Sequence, residues 1–587
     1  ACRVWRLSQE MPSTAASSGL KSRERSRRVH NSPVQIPVNA KGKKTITTLR
    51  PRRDSRLRVP PLVLGSSKAG AGCPMVGVMS PRVDAARRPP HRAGAPWVDE
   101  PGASLLRDER GRPGPPSPLV IATLSLARKA DDVKNARVLI GGFAGLVGFL
   151  LPQVFAPEGL DASGARMLGI FLLAIALWIS EAVPLVATAV LIILLEVLMV
   201  SSGAILTVPD DALAPTAFYG ALSDPVIILF LGGFTIALAA EKFGLDWNLA
   251  ALALRPLGGH PRRSLLVLMA MTAVLSMFVS NTATAATMFA VLTPVLATAP
   301  PGKTRTGLAL SIPIAANVGG LATPVGSPPN AIAVAALSNE GFIVTFAQWM
   351  VFGLPLMIVL LLFAWLLLAA LFIDPDAHIV FDVQPKFDAS GKAVAFYVIG
   401  AVTVAGWLTE ALHGIPASTV GFFAVVALLV VGSITPGELG KLPWAVLWLV
   451  AGGIALGTGL AATGIDAWIV GLVEWDALSP SSLIAVLAVL AVGLSTVISN
   501  SATANLLVPI GIALAISVDA NPIVVAVTIA LACSLAMAMP ISTPPNAVAY
   551  ATGEVTTRNM AVTGVIIAAV GIPLLVLIVP MVAGRIV

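Results

Sequence analysis

Two matching polar phrases interrupt an apolar chain, Ser280-Asn281-Thr282-Ala283-Thr284 and Ser499-Asn500-Ser501-Ala502-Thr503. Each is followed by a second break, Gly326-Ser327-Pro328-Pro329-Asn330 after the first and Ser542-Thr543-Pro544-Pro545-Asn546 after the second. Hydrocarbon tolerates non-helical backbone only where protein encloses it or where it lines a cavity. Paired interruptions in two halves of a membrane chain therefore predict a binding site near the bilayer midplane, as in a carrier. Composition supplies the bilayer: 56% of the 587 residues are hydrophobic and 12% charged, and in water such a chain would expose large apolar patches. Three widely spaced cysteines, Cys2, Cys73 and Cys533, form neither a disulfide framework nor a metal-ligand cluster. No redox chemistry and no organic cofactor are expected.

The formal charge of +8 averages two unlike regions. Residues 1–137 hold 27 Lys and Arg against 10 Asp and Glu, a net of 27 − 10 = +17, and the remainder holds 12 against 21, a net of −9. Residues 1–117 are rich in Arg, Pro, Ser and Gly without an apolar period, so they cannot bury enough surface to offset the entropy of ordering. This tail is expected to be disordered. It reads as upstream sequence joined by a misplaced start, with internal starts at Met75 or Met79, or as a targeting segment; a nucleic-acid or lipid-binding tail is the weaker alternative, and no nucleic-acid partner is expected. Residues 118–137 form a juxtamembrane segment too short in apolar sequence to span.

A spanning helix needs about 20 largely apolar residues. On that basis spans are expected near 138–155, 167–183, 184–202, 225–244, 306–337, 346–373, 393–413, 416–433, 442–464, 523–552 and 561–583. Two further stretches, 264–298 and 482–517, carry the Ser-Asn phrase near the middle. Arg255, Arg262 and Arg263 precede the first, and Lys303 and Arg305 follow it, which makes it a hairpin entering from the cytoplasm. Glu474, Asp476 and Asp519 flank the second, which suits entry from the opposite side. The N-terminus is then cytoplasmic and the C-terminus on the far side; Arg166 and the cytoplasmic linker 374–392 fit less cleanly. Gly232-Gly233 matches Gly452-Gly453 at an offset of 220, Ser280 matches Ser499 at 219, and Pro328 matches Pro544 at 216. The fold class is an all-α polytopic membrane protein of about eleven spans plus two re-entrant hairpins, with repeats of inverted topology over 138–373 and 393–587.

At each tip one helix ends and another begins, leaving free N–H groups and a positive dipole end beside Ser, Thr and Asn side chains. Such a tip can hold an anion. Proline within the following span breaks the hydrogen-bond ladder, and the freed carbonyls with nearby hydroxyls are oxygen ligands for a small cation. No Lys or Arg lies in either phrase or either Pro-Pro-Asn break, so a dianion there would need co-bound cations to offset its desolvation. Na+ coupling follows, one ion or more per repeat. A single Ser-Asn-Thr in a membrane helix is more often interhelical glue than a ligand site; the pairing carries the functional reading. Glu181 and Pro184, in Trp178-Ile179-Ser180-Glu181-Ala182-Val183-Pro184, mark a helix junction. His260, His378 and His413 read as solvated, and Asp466 as interfacial.

These residues make the chain similar to the divalent anion:sodium symporter family of di- and tricarboxylate and sulfate transporters. The resemblance covers about residues 138–587 and rests on the two Ser-Asn phrases, on Thr323 to Asn330, on Ser542 to Asn546 and on Trp178 to Pro184. It implies a scaffold domain that dimerises and a transport domain that moves as an elevator. It implies one Na+ site from Ser276, Ser280, Asn281 and Gly326, and a second from Ser495, Ser499, Asn500 and Ser542. Substrate carboxylates would be held by Asn281, Thr282, Asn500 and Ser501, with Pro328 and Pro544 lining the site. Ser501 departs from the usual threonine, and Ser542 stands where a small apolar residue is common.

The resulting expectation is a secondary active symporter of the cell membrane, importing small di- or tricarboxylates with Na+ as a homodimer. Symport of sulfate or another inorganic dianion, proton coupling and anion exchange are the alternatives. Glu181 and Glu196 are the only candidates for a proton relay. No enzyme is expected, since no nucleophile and base pair appears in the membrane body.

Overall fold

The computed structural model describes residues 138–254, 260–299, 301–377, 379, 381, 384–472 and 479–586. The expected tail (1–117) and juxtamembrane segment (118–137), with Arg255, His378, Glu474 and Asp476, lie outside the described residues. Apolar runs without interior breaks become helices, and the polar phrases end them. The first group is α1 Val138–Phe155, α2 Ala162–Ser180, α3 Leu185–Met199, the short α4 Pro215–Gly220, α5 Pro225–Lys242 and α6 Leu245–Leu254. There follow α7 Pro261–Ser276, α8 Asn281–Thr298, α9 Lys303–Gly319, α10 Pro328–Asn339 and α11 Phe346–Leu371. After the linker come α12 Gly391–Leu408, α13 Glu410–His413, α14 Ala417–Val431, α15 Pro436–Leu439, α16 Trp444–Ala462 and α17 Ile465–Gly471. The chain closes with α18 Pro480–Val497, α19 Asn500–Ser517, α20 Pro522–Ser534, α21 Pro544–Ala551 and α22 Thr557–Ile586.

Among the described residues nine helices are long and apolar enough to cross a membrane. Several expected spans differ in form. The stretches 306–337 and 523–552 are each two helices around a break, because Pro328-Pro329 and Pro544-Pro545 start new helices at positions where a missing N–H costs nothing. The stretch 393–413 ends its main helix at Leu408, and α13 makes one further turn. Large apolar side chains such as Phe143, Val154, Val398 and Leu577 stand exposed on α1, α12 and α22, as lipid-facing surfaces require. Glu181 adopts a left-handed conformation, φ 50°, at the predicted junction, and Pro184 leads into α3. Arg166, awkward for loop-charge reasoning, is spent as a cap: its guanidinium donates to the carbonyls of Met199 (2.9 Å) and Thr207 (2.8 Å). His260 and His413 are exposed and Asp466 half-buried.

Packing repeats with the sequence. α7 and α8 both lie on α9, and α18 and α19 both lie on α20; α11 packs on α9 as α22 packs on α20. The halves also interlock, because α10 lies on α19 and α21 on α8. Outside this group α5 packs on α14 and α3 on α16. Both crossings are close at the matched glycines: a Cβ on Gly232 would stand 2.5 Å from Gly421 Cα, and one on Gly452 2.5 Å from the Ala189 Cβ. Absence of a side chain lets these backbones touch.

Candidate functional site

Each Ser-Asn phrase is a helix start. α7 ends at Ser276, the backbone becomes extended at Ser280 (ψ 139°), and the Ser280 hydroxyl accepts the Ala283 N–H (3.2 Å) as the cap of α8. Ser499 (ψ 146°) repeats this for α19, accepting from Ala502 N–H at 3.2 Å. Serine suits the position because its oxygen replaces an intrahelical acceptor. Asn281 and Thr282, like Asn500 and Ser501, are then the first two helical residues, and their N–H groups have no intrahelical acceptor.

The four breaks converge on one cavity of about 460 Å³. Its lining includes Ser280, Asn281, Thr282, Gly326 and Pro328 from one half and Ser499, Asn500, Ser501, Ser542 and Pro544 from the other. All six residues expected at the substrate, Asn281, Thr282, Asn500, Ser501, Pro328 and Pro544, are thus brought together. None of the lining residues is charged. The α8 and α19 starts offer N–H donors, whereas the α10 and α21 starts present proline rings and no N–H at their first two positions.

Ser276 and Ser495 lie beneath the tips, fully buried. In the first half the Asn281 amide stands 2.6 Å from Ser276 Oγ, 3.0 Å from the Gly326 carbonyl oxygen and 3.2 Å from that of Ala316, and donates to all three with its nitrogen on that side. Ser276 Oγ in turn donates to the Ala316 carbonyl at 2.8 Å. Gly320 lies against this group: a Cβ there would come within 2.7 Å of the Asn281 amide and 2.9 Å of the Gly326 oxygen. The second half is looser. Asn500 Oδ1 is buried without a hydrogen-bond partner, Ser495 Oγ meets the buried Cys533 thiol, and Ser542 Oγ donates to the Thr496 carbonyl while accepting the Met539 N–H, each at 3.2 Å.

In the cavity lining, at Asn317, Ser327 and Thr543, the halves are cross-braced. Asn317 Nδ2 donates to Thr543 Oγ1 (3.1 Å) and Asn546 Oδ1 (3.3 Å), and Ser534 and Ser327 share a hydrogen bond of 3.1 Å. These are matched positions, since 534 − 317 = 217 and 543 − 327 = 216. Serine is too short to repeat the full Asn317 pairing, and Asn330 Oδ1, the counterpart of Asn546 Oδ1, is left buried without a partner. Sequence reasoning passed over Asn317; an amide at the end of the otherwise apolar run Ile312 to Val318 is the available signal, visible once Ser534 is aligned with it. It also missed the apolar wall of the cavity, which includes Leu185, Val186, Phe230, Phe234, Val446 and Leu449. Such residues look like any others in a membrane helix.

Neither carboxylate considered for a proton relay lines this cavity. Glu181 sits in the α2–α3 junction. Glu196 is wholly buried on α3 near Gly459 and Met167, with both oxygens unpartnered. Among the described residues no cluster of metal-ligating His, Cys, Asp and Glu occurs, so oxygens of Ser, Asn and backbone carbonyls are the ligands on offer to a cation.

A family model described as citrate transporter matches residues 175–530, more than half the chain. The chain belongs to the citrate transporter family. Its match to this transporter family agrees with the resemblance carried by the Ser-Asn and Pro-Pro-Asn phrases, and it places the chain among integral membrane transporters rather than enzymes. Similar proteins include the sodium-dependent dicarboxylate transporter SdcS of Staphylococcus saprophyticus, 29% identical over 493 residues, covering 77% of this chain and 92% of that one. SdcS of Staphylococcus aureus (strain bovine RF122 / ET3-1) is 30% identical over 472 residues, 73% of this chain and 88% of that one. Among solved structures, the Alcanivorax borkumensis YdaH transporter aligns with TM-score 0.46 and 16% identity over 72% of this chain and 99% of its own, too distant to bear on the fold.

Proposed function

We propose that this citrate transporter family member is a symporter that imports small di- or tricarboxylates, of the succinate, malate, fumarate or citrate type, together with Na+. The observation that carries the reading is the uncharged cavity flanked by two helix starts with free N–H groups, each standing over a cluster of buried oxygens. A dianion held there gains the N–H donors and dipole ends of α8 and α19. With no Lys or Arg in the lining, the remaining charge is offset by cations bound with the substrate. Ser276, Ser280, Asn281 and Gly326 hold one Na+, and Ser495, Ser499, Asn500 and Ser542 the other. The Asn281 amide turns its oxygen toward the ion, which replaces the nitrogen that satisfies Gly326 and Ala316 in its absence.

The apolar wall favours an organic substrate over sulfate, because hydrocarbon between two carboxylates can lie against Phe230, Phe234 and Val446 and an inorganic dianion cannot. The names of the SdcS relatives support the same class. Transport proceeds by alternating access: α7–α11 and α18–α22 move as one body against the remaining helices, which form a dimeric scaffold in the cell membrane, N-terminus cytoplasmic and C-terminus opposite. The interlocking of α10 with α19 and α21 with α8 supports a single moving unit.

Uptake of labelled succinate into proteoliposomes, with and without an inward Na+ gradient, tests this directly. Na+-driven uptake blocked by excess malate or citrate is expected, with none when choline replaces Na+. Na+-driven sulfate uptake without succinate uptake would overturn the substrate class, and gradient-independent exchange would overturn symport.

A further inference from the structure

A second, larger cavity of about 680 Å³ lies apart from the transport site, walled by α5, α6, α7 and α12. From α12 come Phe396, Tyr397, Gly400, Ala401, Val404, Ala405 and Leu408, a face repeating at helical spacing; opposite are Ile236 and Ala240 of α5 and Val274, Phe278 and Val279 at the α7 end. Its lining is apolar apart from Asp246 and Tyr397. The Asp246 carboxylate is already engaged, accepting from Thr287 Oγ1 at 2.7 Å and from the Trp247 N–H at 2.8 Å.

We infer that this crevice binds an anionic glycerophospholipid of the cytoplasmic leaflet, an acyl chain lying along α12 and the headgroup at the basic end. Three observations point there. The walls run along membrane-spanning helices, where the surrounding solvent is hydrocarbon and a void of this size with an apolar lining takes up an acyl chain rather than water. Phe387, just ahead of α12, closes the end of the crevice, beside exposed Lys386. Arg263 stands at the foot of the α7 face that leads through Val267 and Met271 to Val274 and Phe278, by helical spacing. Neither cation has an ion-pair partner among the described residues, and basic groups at the end of a membrane-spanning helix attract anionic headgroups. The Tyr397 hydroxyl, one to two turns into the membrane from the start of α12, is buried and unpartnered; a small turn of its ring would let it donate to a lipid ester carbonyl.

The crevice ends at Phe278 and Val279, immediately before the Ser280 cap. A lipid seated there touches the hairpin that, in the proposed transport reading, moves against α5 and α12. Lipid occupancy would then differ between the two access states.

Photolabelling tests the inference without reference to Na+ or substrate, so its failure is separable from failure of the symport reading. The full chain is reconstituted in phosphatidylcholine vesicles containing trace phosphatidylglycerol or phosphatidylcholine with a diazirine in the acyl chain, and labelled peptides are mapped. Labelling concentrated on residues 396–408 and 274–279, several-fold stronger for the phosphatidylglycerol probe, is expected. Ala401→Trp, at an exposed position on the crevice face, should reduce that labelling several-fold while leaving α22 labelling unchanged; Val404→Trp is the second variant should the first fail to fold. Arg263→Gln with Lys386→Gln should abolish the preference for phosphatidylglycerol. Labelling of α12 no stronger than that of α22 and unmoved by either tryptophan overturns the site, and equal labelling by the two probes overturns the anionic headgroup.

Discussion

At residue scale the proposed transport site depends on backbone approach as much as on side chains. Gly320→Ala places a methyl within 2.7 Å of the Asn281 amide and 2.9 Å of the Gly326 oxygen, and both groups are proposed to face a cation. The expected result is a rise of about tenfold or more in the Na+ concentration for half-maximal uptake, equivalent to about 1.4 kcal/mol; an unchanged Na+ dependence would remove this cluster from the cation site. Asn281→Ala and Asn500→Ala should each abolish uptake with little change in thermal unfolding, and full uptake in both would sink the assignment. Asn317 belongs to a different class. Its loss leaves Asn546 Oδ1 without its partner in a buried setting, and Asn317→Ala should destabilise the protein by about 1–3 kcal/mol, read as a lowered midpoint in thermal unfolding. Ser534→Ala should cost less, because it breaks a single hydroxyl pair, with Ser327, among the described residues.

At the scale of elements, short polar devices fix how long apolar helices meet outside the membrane. Thr435 and Glu438 form a capping box at the start of α15, and Glu438 also receives Lys242 from the end of α5 at 2.8 Å. Hydrogen bonding from Lys242, then from the Thr435 N–H and hydroxyl, holds the Glu438 carboxyl down to about 2. A carboxyl depressed in the folded state contributes stability that is present above its ordinary value near 4.5 and is lost as pH falls toward 2. Lys242→Met should therefore unfold at a lower temperature than the wild type at neutral pH, with the gap closing over that acidic window; a gap independent of pH would assign the effect to packing. A second pair, Arg305 and Glu554 at 3.3 Å, ties the start of α9 to the segment before α22. On another loop Glu340 is pushed upward by burial and by the charge of Asp466, so the pH dependence it adds has the opposite sign.

The molecule as a whole joins two halves that match in sequence yet differ where they would bind ions. In the first half Ser276, Asn281 and the Ala316 and Gly326 carbonyls satisfy one another, whereas in the second Asn500 Oδ1 lacks a partner and Ser495 Oγ meets a weakly hydrogen-bonding thiol, Cys533. An ion entering the first cluster displaces hydrogen bonds already made, and one entering the second fills unmet valence. The second site should accordingly bind Na+ more tightly. In substrate-free protein, Na+ titration monitored by thermal stability should lose its high-affinity phase in Ser495→Ala and keep it in Ser276→Ala; the reverse pattern would invert the order.

Much of this was legible in the chain. Hydropathy and the paired phrases determined a helical membrane fold, the two hairpin-like turns and the polar breaks that meet at the cavity, because a break in hydrocarbon has few permissible settings. Arg166 fitted the loop-charge pattern less cleanly, and its guanidinium is engaged by the Met199 and Thr207 carbonyls. Only the tertiary structure decided which apolar residues form the cavity wall, that Asn317 reaches across to Thr543 and Asn546, and that the two oxygen clusters differ. Periodicity assigns a residue to a helix face, but which face meets which neighbour depends on contacts between segments some two hundred residues apart, and those contacts exist only once the halves have interlocked.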